Sequence, residues 1–195
     1  QQFFRLEPFY IGPPEALHKT WRAARWLSVD LLATSIGIYL VLALLALLSF
    51  WQAGRRTMFL WFAGVMITAS LRNLYFLWTA PGYDWLRELL YAGASLSLLA
   101  CSAGFAGAIV QDGRERLYRL SLAISLVATL LLGLHMWQSP YDGSHLANNI
   151  VRLVGVLSGL WVTYLLWHYL RSGWHRSKPW VLALFLGAFV LVLHD

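Results

Sequence analysis

Charge is what this sequence has least of. Only 12% of its 195 residues are Asp, Glu, Lys or Arg, while 59% are hydrophobic. Residues 31–54 contain no charged side chain, and neither do residues 89–111. Each run exceeds the roughly 20 residues that a helix needs to cross the hydrocarbon core of a bilayer, which excludes an ordinary water-soluble domain. Cysteine is nearly absent as well. Cys101 is the only one, so neither an intrachain disulfide nor a thiolate metal cluster can form. Catalytic signatures are missing too: there is no HExxH zinc motif, Walker glycine loop, GxSxG elbow, kinase H-box with its glycine box, or GGDEF-like cyclase motif. The segment is therefore expected to be non-catalytic, with no cofactor and no metal site.

What the chain does have is six apolar blocks, at residues 31–54, 58–79, 89–111, 120–137, 153–170 and 180–195. They predict an all-α, polytopic transmembrane helix bundle over residues 14–195, with six spans visible. The net charge of +6 does not point to nucleic acid, because the basic residues are confined to alternate loops. Arg55 and Arg56 follow the first span, Arg114, Arg116 and Arg119 the third, and Arg171, Arg176 and Lys178 the fifth. The intervening loops carry Asp84, Glu88 and Asp142 with one Arg. By the positive-inside rule the basic loops are cytoplasmic and the N-terminus lies outside, and these eight basic residues outweigh Lys19, Arg22 and Arg25 ahead of the first span.

Residues 3–12, FFRLEPFYIG, suit the last extended stretch of a preceding extracytoplasmic domain, so residues 1–13 are assigned to that domain or its linker. After Pro14, a helix with Leu17, Trp21 and Ala24 on one face and Lys19, Arg22 and Arg25 near the other would either lie at the headgroups or extend the first span. The third span is rich in small residues. Ala100, Gly104 and Ala108 recur at four-residue spacing, which lets a neighbouring backbone approach and marks this helix as the centre of the bundle. Trp21, Trp26, Trp78, Trp85 and Trp137 gather at outer span ends and Trp51, Trp167, Trp174 and Trp180 at inner ends, as interfacial anchors do. His168 and His175, seven residues apart, fall at a cytoplasmic exit and are read as structural or interfacial.

Polar groups inside the spans are the candidate site. Arg72, beside Asn73, lies ~21 Å along the second span from Met58, and Asp195 lies about 22 Å along the sixth from Trp180. His135 ends the fourth span on the same side, and Asn148, Asn149 and Arg152 open the fifth. An isolated charge at that depth is expensive, so Arg72 is expected to turn inward and hold Asp195 with its planar fork. The cluster Arg72, Asn73, His135, Arg152, His194 and Asp195 is either a structural clasp or a ligand-responsive site.

The run YIGPPEAL (10–17) before the first span, the short basic turn with TMFLWFAG (57–64), and GLHMW and VLHD on later helices resemble the bacterial seven-transmembrane receptors with diverse intracellular signalling modules. That resemblance covers nearly the whole chain and implies six spans of seven, with the chain stopping before the last. It implies a multi-pass protein of the bacterial inner membrane, with an extracytoplasmic ligand-binding domain ahead of it and a histidine kinase or diguanylate cyclase after it. The implied function is relay of an extracytoplasmic signal, with the lipid bilayer, an unidentified ligand and a second receptor copy as partners. Two other classes compete. A small transporter or carrier subunit would use the polar cluster as a vestibule, and an intramembrane redox enzyme would use His135 and His194 as haem ligands.

Overall fold

The computed structural model describes residues 29–52, 56–77, 84–111 and 113–171. Over these residues the chain is all-helical. The helices are α1 (Leu31–Gln52), α2 (Thr57–Leu77), α3 (Asp84–Val110), α4 (Glu115–Gln138) and α5 (Pro140–Arg171). Each of the five is long and apolar enough to cross a membrane, which makes this a multi-pass membrane protein. The extended segment 3–12, the helix after Pro14, the sixth span and the acceptor Asp195 lie outside the described residues.

Large apolar side chains on the outside of the bundle suit a lipid solvent. Leu44 on α1, Leu130 on α4 and Leu160 on α5 are 58%, 70% and 64% exposed. Several hydroxyls within the spans are satisfied by their own helices: Thr68 Oγ1 donates to the Gly64 carbonyl at 2.7 Å, Ser125 to Ser121 at 2.9 Å and Thr129 to Ser125 at 2.7 Å. In hydrocarbon no water is available to do this.

α3 is the central element. Of its most apolar stretch 61% is buried, against 22% or less in the other four helices, and α2, α4 and α5 all pack on it while α1 packs on α2. Its small residues leave room for that: Ala92, Ala100 and Ala106 are all but inaccessible. Two packing clusters sit towards opposite ends of α3. One joins Ala92 and Leu96 to Leu132, Met136 and Ala147, and the other joins Cys101 and Ala103 to Trp61 and Tyr118.

Two expectations change. At Gly104 the nearest approach is made by a side chain. A Cβ added there would stand 2.5 Å from the indole of Trp61, so the small residue admits a ring that lies on the α3 backbone. Helix α5 also starts 13 residues before the predicted span, and the expected outer loop between the fourth and fifth spans shrinks to Ser139. Pro140 suits a first helical turn, because its missing N–H would have had no intrahelical partner there. The Ser139 carbonyl accepts from Gly143 N–H at 2.9 Å, while Ser139 N–H donates to His135 at 2.8 Å. The corner closes on Met136, fully buried, and Gly143, whose added Cβ would come within 2.9 Å of the Met136 backbone. At 32 residues α5 spans ~48 Å, well beyond the hydrocarbon core, so its polar first turns extend into the headgroup region or the helix tilts.

Candidate functional site

Arg72 and Asn73 are adjacent on α2 and therefore point about 100° apart around the helix. The structure uses both directions. Asn73 Nδ2 donates to Ser35 Oγ on α1 at 3.0 Å, and the same Ser35 hydroxyl donates to the Leu32 carbonyl at 2.7 Å. Arg72 faces α3, where its guanidinium carbon stands 5.7 Å from the centre of the Tyr91 ring. One polar dipeptide thus fastens α2 to a helix on either side.

Around Arg72 the aromatic and charged groups alternate. Tyr91 lies against Tyr75 with ring centres 4.8 Å apart. Arg87 covers Tyr75 at 5.0 Å, and the Tyr75 hydroxyl donates to Glu88 Oε1 at 3.0 Å. Arg87 approaches Glu88 at 3.9 Å and Asp84 at 4.0 Å, where Asp84 is 81% exposed and Glu88 33%. Phe76 closes the edge, 5.0 Å from Tyr75 and 6.3 Å from Tyr91. The ladder runs from a half-buried guanidinium inside the bundle to a carboxylate open to water. A cation over an aromatic face gains from the ring quadrupole, and gains more where water is excluded.

The pairing follows from chain geometry. α2 and α3 are consecutive antiparallel helices joined by a short connection, so residues equally far from its midpoint meet. Tyr75 with Glu88, and Arg72 with Tyr91, are both placed symmetrically about the 81/82 peptide. From the sequence, Arg87, Glu88 and Asp84 read as loop charges, and Tyr75 and Tyr91 as ordinary apolar-block residues. The hairpin symmetry was the signal that could have joined them.

Of the other sequence candidates, two are described. His135 and Arg152 are exposed side chains on α4 and α5, and neither makes a described contact with Arg72. His194 and Asp195 lie outside the described residues. Among the described residues, Arg72 and Asn73 find partners on α1 and α3. Of the packing positions, Ala100 is 6% exposed, Gly104 holds Trp61, and Ala108 packs beside the Trp61–Tyr118 cluster. His168 lies 6.3 Å from the Tyr164 ring on an exposed face of α5. No family model, curated protein or solved structure matches the chain.

Proposed function

We propose that this chain is the membrane-spanning sensor and transducer region of a bacterial inner-membrane signalling receptor, relaying an extracytoplasmic signal to a cytoplasmic output module of the histidine kinase class. The observation that carries this reading is the ladder Arg72–Tyr91–Tyr75–Arg87/Glu88, which ties the water-accessible start of α3 to a cation within the bundle. A ligand or neighbouring domain that draws on Asp84 or Glu88 would reset how α3 sits on α2. Because α2, α4 and α5 all pack on α3, such a shift reaches the far end of the bundle without a separate relay. Packed interfaces of this kind tend to move between discrete arrangements instead of deforming smoothly.

The test uses the full-length receptor in native membranes. Glu88→Gln and Tyr75→Phe each remove one link while conserving shape, and each should shift basal phosphorylation of the output module by about five-fold or more, the usual lower range of allosteric coupling. Unchanged output from both variants at normal membrane levels would contradict the reading. Solute uptake by proteoliposomes, without phosphotransfer in the full receptor, would favour the carrier class.

A further inference from the structure

At the opposite end of the α2–α3 hairpin from Arg72, a cavity of about 250 Å³ opens between α2, α3 and α4. Two of its walls are aromatic. Trp61 and Tyr118 stand with ring centres 6.4 Å apart and planes at 81°, forming a right-angled corner. Glycines on α3 make that corner possible, because a Cβ at Gly104 would enter the Trp61 indole and one at Gly107 would enter the Tyr118 ring. The Tyr118 ring is further held by its hydroxyl, which accepts from Trp161 Nε1 at 3.3 Å. Glu115 is the acidic residue of the lining. Its partner Arg119 makes both of its contacts, at 2.6 and 3.2 Å, to Oε1, which leaves Oε2 outside that pair.

Two aromatic rings set at right angles beside an acidic residue suit a positively charged organic nitrogen, since rings attract a cation through their quadrupole and a carboxylate supplies opposite charge. The volume lies below the ~300–1,000 Å³ of sites that enclose a drug-sized ligand, and so suits a headgroup. We propose that this cavity binds an organic ammonium group, presented either by an ethanolamine lipid of the adjoining leaflet or by a soluble amine. Two of the arginines at this end are engaged by neighbouring side chains. Arg119 is held by Glu115 and Arg114 stacks on Trp161 at 5.2 Å. Arg56 and Arg116 are exposed at the same end, where they complement the phosphodiester that an ethanolamine lipid carries two carbons from its ammonium. The inference is independent of the signalling reading.

The experiment is lipid competition on the full chain. The protein is reconstituted in phosphatidylglycerol nanodiscs, phosphatidylethanolamine is titrated in, and retained lipids are counted by native mass spectrometry. Tetramethylammonium is titrated in a parallel arm, with amide exchange in residues 113–118 as readout. At least about five-fold enrichment of the ethanolamine lipid over phosphatidylglycerol, lost in Trp61→Leu and reduced in Glu115→Gln, is the expected result for a lipid ligand. Protection by tetramethylammonium without lipid enrichment assigns the site to a soluble amine. Absence of both responses in the wild-type protein overturns the proposal, whatever the variants do. So does enrichment that persists unchanged in both variants when each keeps wild-type helicity.

Discussion

Arg72 and Asn73 show how a membrane helix accommodates two adjacent polar side chains, by sending each to a different neighbour. The Asn73–Ser35 bond joins α1 to α2 at 3.0 Å. Interhelical hydrogen bonds in membranes average about 0.6 kcal/mol and reach ~1.7, because the unfolded reference state also finds partners. Ser35→Ala and Asn73→Leu should each cost on that order in a thermal or denaturant titration in micelles, and the double variant should cost little more than either alone. Ser95 gives the opposite expectation. Its hydroxyl is buried in α3 with no hydrogen-bond partner among the described residues, so Ser95→Ala should leave stability unchanged or raise it by up to about 1 kcal/mol. A clear loss would mean that a bound water or a segment beyond those residues satisfies it. The sequence exposed Arg72 and Asn73 because their polarity stands out in an apolar block. It hid Tyr75 and Tyr91, because a tyrosine in a greasy helix looks the same whether it faces lipid or an arginine. The expected Arg72–Asp195 pair can be tested by a double-substitution cycle, where Arg72→Ala and Asp195→Ala should be less than additive.

At the scale of the helices, antiparallel hairpin register governs who meets whom. Trp85 and Trp137 meet edge to face at 5.4 Å across α3–α4, and Trp161 reaches Tyr118 across α4–α5. Five of the six predicted spans correspond to described helices, and four of those begin before the apolar block does. The reason is that hydropathy marks the hydrocarbon slab, whereas the backbone stays helical into the headgroups, through Asp84–Glu88 on α3 and Glu115–Arg119 on α4. The small-residue stripe on α3 pointed to a close approach, but spacing alone could not say whether a backbone or an indole would fill it. With Trp61 lying 2.5 Å from the position of a Cβ at residue 104, Gly104→Ala should destabilise by about 1–3 kcal/mol. Adding Trp61→Leu should reduce that penalty. If Gly104→Ala melts like the wild type, the indole is not packed on α3 as described.

For the molecule as a whole, the arrangement of basic turns predicts which end faces the cytoplasm. In a Cys101→Ser background, an impermeant maleimide added to intact cells should label Gly82→Cys and spare Arg116→Cys until the membrane is opened. The reverse pattern would invert the bundle, placing the Arg72 ladder at the cytoplasmic face and removing the basis for outside-in signalling. The proposed relay depends on coupling between the two ends of α3. Its most direct test is a fluorine label on Arg116→Cys, in the first turn of α4 next to that end of α3, in the Cys101→Ser protein, observed by ¹⁹F NMR in nanodiscs with and without Glu88→Gln. Loss of the carboxylate at one membrane face should shift the populations of the label's resonances at the other. An identical spectrum in both proteins, with Glu88→Gln folded and correctly inserted, would contradict it.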